Sequence, residues 1–303
     1  MRPIDLHTHT THSDGSVSPA ELVTLAAASG ARAIAITDHD TVSGLAEGGQ
    51  AAAKARVEFV NGVEISAEFS PGTMHILGYF IDDEAEGLLS KLHELKQARE
   101  RRNPEIARKL RQLGFDLSYD EVAALAGNEV VGRPHFARVL VAKGYASSIQ
   151  DAFNRFLAKG APAYEEKLRL NPGDAISLIH GAAGVAVLAH PYQLKLGSME
   201  ETEELLGQLR ECGLDGVEAI YSRHTPEQRR LYAAMAERLG LAATGGSDFH
   251  GSYKPDIAIV TGTGDLNVPY SILENLRRLA AQRREAAGTG RLTPSPNGRS
   301  ARE

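Results

Sequence analysis

Apolar positions follow two rhythms along the first ninety residues and again beyond residue 170: short continuous runs, and longer stretches at helical spacing. Pro3 to His7 reads as a strand, followed by a polar loop from Thr8 to Val17. Ser18-Pro19-Ala20-Glu21 then has the marks of a helix start: a hydroxyl that can cap, proline at the first helical position, and a glutamate three residues after the serine. Leu22, Leu25 and Ala26 recur at helical spacing and Gly30 closes the segment. Ala33 to Thr37 is a short apolar run suited to a buried parallel strand, and it stops abruptly at Asp38-His39-Asp40. The alternation predicts a helix near Leu45 to Lys54 and strands at Val57 to Val63 and Thr73 to Tyr79. It resumes with helices from Asn171 to Ala182, Glu200 to Glu211 and Pro226 to Leu239, and strands at Val185 to Ala189, Gly216 to Ile220 and Leu241 to Thr244. Such a pattern predicts an α/β fold, a parallel sheet wrapped by helices.

Between Leu88 and Glu166 the rhythm gives way to charged, helix-rich sequence. This predicts a helical insertion subdomain, 88–166, set into a discontinuous domain formed by 1–87 and 167–285. Residues 286–303 are rich in Gly, Ser, Pro and Arg without apolar periodicity, and are expected to be a disordered tail.

Composition narrows the choices. The 303 residues are 42% hydrophobic and 24% charged, ordinary for a globular chain. No window approaches the run of about 18 apolar residues that a membrane span needs, and Met1-Arg2-Pro3-Ile4-Asp5 lacks the form of a secretion signal. A cytoplasmic protein with no membrane association is expected, and nothing in the sequence calls for a protein partner. The net charge of -6 argues against a broadly basic nucleic-acid-coating surface. Cys212 is the single cysteine, which excludes an internal disulfide and any cysteine-clustered zinc site. A metal would have to be held by His, Asp and Glu.

Those residues fall in a pattern. Nearly every strand of the alternating regions finishes in a potential metal ligand: His7 and His9, His39, Glu64, His75, His190, and Asp248 with His250. In parallel α/β folds the carboxyl ends of strands form one active rim. Alternate residues of an extended segment share a face, so Asp5-x-His7-x-His9 and Asp248-x-His250 each aim side chains the same way. The first loop adds His12 and Asp14; His12 is read as a spectator, and Asp14 as either a ligand or a turn residue beside Gly15. Asp38 and Asp40 flank His39 and are read as caps or as groups that orient the histidine.

The set resembles the polymerase and histidinol phosphatase (PHP) superfamily of metal-dependent phosphoesterases. The resemblance runs through Asp5-Leu6-His7-Thr8-His9, Ser13-Asp14-Gly15, Thr37-Asp38-His39-Asp40, Asn61-Gly62-Val63-Glu64, His75, Leu188-Ala189-His190-Pro191 and Gly246-Ser247-Asp248-Phe249-His250. It implies a distorted (β/α)7 barrel with a trinuclear metal centre. One ion would lie with His7, His9, Glu64 and Asp248, a second with Glu64 as a bridge, His75 and His190, and the third with Asp14, His39 and His250. Imidazole and carboxylate donors suit manganese, iron or zinc, and the resemblance favours three divalent manganese ions.

Gly132-Arg133-Pro134-His135-Phe136-Ala137-Arg138 within the insertion is similar to the branch that removes the 3'-phosphate from nucleoside 3',5'-bisphosphates, some of whose members act as 5'-3' exoribonucleases on short RNA. The resemblance makes Arg133 and His135 catalytic and phosphate-binding residues. The alternative for that segment is a plain helix start. His135 is then either a second phosphate donor or a general acid. His224, with Ser222, follows another strand end and is expected to touch substrate or simply to lead into the next helix. The expected activity is phosphomonoester hydrolysis of a small nucleotide by metal-activated water. Short 5'-phosphorylated RNA, histidinol phosphate, and a nucleotide-binding module with an inert metal centre are the alternatives.

Overall fold

The computed structural model describes residues 2–126 and 131–289. The alternating regions form one sheet of seven strands in sequential order: β1 (Ile4–Asp5), β2 (Ala33–Ile36), β3 (Glu58–Ala67), β4 (Met74–Tyr79), β5 (Val185–Leu188), β6 (Gly216–Tyr221) and β7 (Ala242–Gly246). The backbone amide of Leu6 donates to the Gly245 carbonyl and that of Asp248 to the His7 carbonyl, so the first and last strands meet and the sheet is a nearly closed barrel. Helices α1 (Pro19–Ala28), α2 (Leu45–Ala55), α7 (Pro172–Gly181), α8 (Met199–Glu211), α9 (Pro226–Leu239) and α10 (Ser271–Thr289) complete that part of the chain. The start of α1 is as expected: Ser18 Oγ accepts the Glu21 amide and the Glu21 carboxylate accepts that of Ser18.

The sheet is not wholly parallel. β4 pairs antiparallel with both β3 and β5, because β3 continues past Glu64 to Ala67 and only a short turn separates it from β4. A turn that short permits a hairpin but no parallel crossover. The inversion matters for His75. It lies near the start of β4, and only in a reversed strand does that position share a rim with the carboxyl ends of its neighbours.

Alternation along the strands divides the core. Ile34 and Ile36 of β2 and Ala186 and Leu188 of β5 join Leu22, Val23 and Ala26 of α1 in the cluster beneath the surrounding helices. Ala33, Ala35, Val185 and Val187 point the other way, into a second cluster with Leu77, Tyr79 and the α10 residues Leu273 and Leu276. The same face of β3 carries Val60 low down and Glu64 two pleats further on, so one strand supplies apolar packing at one level and a ligand candidate at the next.

Between β4 and β5 the described chain is helical: α3 (Glu86–Gln112), α4 (Tyr119–Ala126), α5 (Arg133–Ala142), α6 (Ile149–Ala152), then a π-helical turn at Phe153–Leu157. Ile106, Leu110, Phe136, Leu140, Phe156 and Leu157 form their own core. Helix α3 serves both regions, since Leu88, Leu92 and Leu95 pack with the barrel's helices. The boundary expected at residue 88 therefore falls inside one continuous helix. The boundary expected at 286 likewise falls inside α10, which runs to Thr289; 290–303 lie outside the described residues. No described helix is long and apolar enough to cross a membrane.

Candidate metal centre and substrate cavity

Glu64 stands at the middle of the strand-end cluster, fully buried. Its Oε1 lies 2.9 Å from His75 Nδ1 and 3.0 Å from His190 Nε2. Its Oε2 lies 3.0 Å from His39 Nδ1, 3.2 Å from His9 Nε2 and 3.4 Å from His7 Nε2. Asp248 Oδ1 is 3.3 Å from His9 Nε2 and 3.6 Å from His7 Nε2. Asp14 completes the group, 3.2 Å from His250 and 3.8 Å from His39. Every expected ligand candidate is thus brought together, whereas His12 sits apart with its Nδ1 2.8 Å from Ser43 Oγ.

The arrangement fits cations. His7 Nε2, His9 Nε2, His39 Nδ1 and Glu64 Oε2 are buried polar atoms without a hydrogen-bond partner, and they converge on one another. An unpartnered buried polar atom costs about 1–3 kcal/mol, so four at one point are accounted for by bound divalent metal. Donor atoms of His9, Asp14, His39 and His250, and those of His7, Glu64 and His190, lie within 4.8 Å of one another. Burial acts against ionisation of Asp14, Glu64 and Asp248, yet the surrounding imidazoles, with Lys254 beside Asp248, outweigh it and hold all three well below the usual carboxylate range. Their field does the converse to His9. Burial works to lower its pKa, while Asp248 and Glu64 raise it to about 9. A field that draws a proton to an imidazole also draws a metal ion.

A further layer orients these groups. Glu218 Oε1 lies 3.0 Å from His7 Nδ1, and Oε2 accepts the His190 amide at 2.8 Å. Tyr221 and Lys254 each donate to Asp248 Oδ2 at 2.7 Å, turning Oδ1 towards the histidines. Asp38 accepts the Thr10 amide and hydroxyl and the Ser13 hydroxyl, which ties down the first loop. Asp40, His190 and Asp248 have positive φ values of 53°, 27° and 59°, backbone strain gathered at the strand ends that carry the site. Sequence reasoning missed Glu218, Tyr221 and Lys254. A carboxylate inside the buried run Gly216-Val217-Glu218-Ala219-Ile220 was the one available signal.

A cavity of about 210 Å³ opens beside the cage, reached by Asp14, His39 and His75. Its other wall is cationic: Arg99, Arg102, Arg133, Lys167 and Arg169. Arg99 and Lys167, from opposite sides of the helical segment, both pair with Asp40, which also accepts the Ser66 amide. Burial, followed by the neighbouring arginines, pushes Lys167 well below the usual lysine value; burial and then Arg133 bring Arg102 down to about 10. Positive charge crowded in this way attracts an anion.

Arg133 lies in this wall, with its Nη1 donating to the Leu157 carbonyl at 3.1 Å. His135 does not line the cavity. It is 1% exposed, and its Nδ1 accepts the Gly132 amide at 3.0 Å, capping the start of α5. His224 is not brought there either. It is packed among Tyr192, Tyr221 and Tyr232, bonds through Nδ1 to the Ala219 carbonyl, and burial pushes its pKa down to about 4.

Comparison with known proteins agrees with this geometry. The PHP domain family model matches residues 5–167. The chain belongs to the PHP family. It is 36% identical over 251 residues to a 3',5'-nucleoside bisphosphate phosphatase of Chromobacterium violaceum, covering 82% of this chain and 88% of the relative. It is 37% identical over 246 residues to a 5'-3' exoribonuclease of Haemophilus influenzae, covering 81% and 89%. A solved structure from Bifidobacterium adolescentis, described as a metal-dependent phosphoesterase, superposes with a TM-score of 0.80 at 31% identity over 91% of this chain and 96% of that one. This PHP protein is therefore a hydrolase of phosphoesters that uses divalent metal.

Proposed function

We propose that the protein removes the 3'-phosphate from nucleoside 3',5'-bisphosphates, leaving the 5'-monophosphate. The observation that carries this reading is the wall of Arg99, Arg102, Arg133, Lys167 and Arg169 facing a cage of ionised carboxylates and imidazoles. One phosphate lies at the cage, and a second phosphate on the same small substrate meets this wall, in which Arg99 and Lys167 share Asp40 and Arg169 pairs with Glu166. The 3',5'-nucleoside bisphosphate phosphatase of Chromobacterium violaceum, the relative described above, supports the same choice.

In this reading His7, His9, Glu64 and Asp248 hold one cation, Glu64 with His75 and His190 a second, and Asp14, His39 and His250 a third, manganese being the proposed metal. Such ions lower the pKa of water and neutralise charge on phosphoryl oxygens. The remaining work belongs to side chains. Arg133 offers its planar fork to phosphate, with its angle set by the Leu157 carbonyl. His135 acts through Arg133, fixing the first turn of the helix that carries it. Arg99 and Lys167 present charge from the rigid base that Asp40 provides.

The test is release of phosphate from adenosine 3',5'-bisphosphate, compared with adenosine 3'-monophosphate, histidinol phosphate and 5'-phosphorylated oligoribonucleotides of increasing length. A kcat/KM highest on the bisphosphate supports the proposal. A value that climbs with oligomer length replaces it with exoribonuclease activity, and nucleotide binding without turnover on any substrate leaves a binding module.

A further inference from the structure

We propose that the ring of Phe153 is the seat of the nucleobase, which it holds by stacking. The proposal rests on the nucleotide reading above and deepens it. The described lining of the cavity is cationic, imidazole or hydroxyl-bearing apart from Asp14, Gly132, Pro134 and Phe153, and Phe153 is its only carbocyclic aromatic residue.

The backbone at Phe153 departs from a plain α-helix. Here the turn is π-helical, closed by the Ala158 amide donating to the Phe153 carbonyl at 2.8 Å. Phe156 and Leu157 are buried in the helical core, 8% and 0% exposed, and Phe153 packs against that core from its edge, half-buried, where it also lines the cavity. Single π-turns of this type gather at functional sites.

Phe153 is also beside the phosphate-binding fork: the Arg133 guanidinium carbon lies 5.9 Å from its ring centroid and 5.2 Å from that of Tyr164. A nucleotide therefore meets a cation and an aromatic face as one unit. Stacking is tolerant of base identity, because every base has a π-face.

The competing role is structural, with Phe153 serving only to pack Arg133 and the helical core. The two roles separate when kcat/KM is measured for adenosine 3',5'-bisphosphate and for the corresponding abasic ribose bisphosphate, on the metal-reconstituted full chain. The wild type is expected to prefer the nucleoside by at least about fivefold. Phe153→Leu, which keeps apolar bulk, and Phe153→Ala should bring the ratio close to one, and Phe153→Trp should preserve it. Equal losses on both substrates, or a ratio unmoved by Phe153→Leu, overturn the proposal. If neither bisphosphate is hydrolysed the proposed reaction fails, and the same ratio read by calorimetry with adenosine 5'-monophosphate against ribose 5-phosphate still decides the base seat.

Discussion

Glu218 holds His7 from behind, with Oε1 3.0 Å from His7 Nδ1, and the same carboxylate accepts the His190 amide through its other oxygen. One buried acid thus orients two strand ends and leaves His7 Nε2 pointing into the cage. Groups that hold a metal-binding histidine in this way sustain about 10- to 100-fold in metal affinity. Glu218→Gln should lower affinity by that amount while leaving the cavity's cations in place. Titration against a chelator of known affinity measures it, and unchanged affinity would remove Glu218 from this role.

Arg133→Ala should reduce kcat/KM about 10- to 100-fold, the worth of a lost hydrogen bond to a charged group, without changing metal content. Arg133→Lys should recover only part of the loss, because an ammonium lacks the planar fork. Elemental analysis of both variants beside the kinetics tests the division of labour; parallel loss of metal contradicts it.

Removing metal should destabilise the fold. Four buried polar atoms without partners meet at Glu64, and a divalent ion at a hundredfold excess over its Kd adds about 2.7 kcal/mol to a site it binds only when folded. A chelator should lower the Tm and manganese restore it. A melting curve indifferent to every divalent cation would sink the metal assignment.

Far from the site, Asp215 fastens α10 to the barrel. It accepts Arg283 Nε at 2.9 Å, the Ala186 amide at 2.8 Å, and lies 3.0 Å from His180 Nε2. Burial raises its pKa, but His180, Arg283 and the Ala186 amide outweigh that and the value is depressed. A depressed carboxyl contributes stability above its unfolded pKa of about 3.9 that is lost as pH falls through the folded value. Arg283→Ala should therefore cost about 1–3 kcal/mol at pH 7 and make acid unfolding less steep below pH ~4. Denaturant melts from pH 7 to 2 read both effects.

Gly246 allows β7 to pass His7. A Cβ at that position would lie 2.3 Å from His7 Cβ and 2.4 Å from its backbone nitrogen. Gly246→Ala should destabilise by about 1–3 kcal/mol through overpacking and reduce metal content as His7 is displaced. In α8 a Cβ on Gly207 meets nothing within 4 Å, so Gly207→Ala should stabilise by about 0.5–1 kcal/mol. Paired thermal melts of the two variants check the contrast.

Strand positions, the helix starts at Ser18 and Pro226, and the ligand candidates at strand ends could be read from the chain, because capping and pleat alternation are local and depend on neighbours a few residues apart. The direction of β4 could not, since an apolar run has no polarity of its own. His135 and His224 show the same limit: each occupies a suggestive sequence position, but packing sends one to a helix cap and the other into a tyrosine cluster.

The order of residues alone therefore determined which donors existed and that they recur at the ends of strands. Tertiary structure decided that β4 runs backwards and brings His75 to the common rim, that Glu218 stands behind His7, and that Arg99 and Lys167 meet on Asp40. The physical reason is range. Periodicity and caps are settled by short-range sterics and hydrogen bonds, whereas shared cavities and charge fields arise between groups that only the closed barrel and its packed helices bring within a few ångströms.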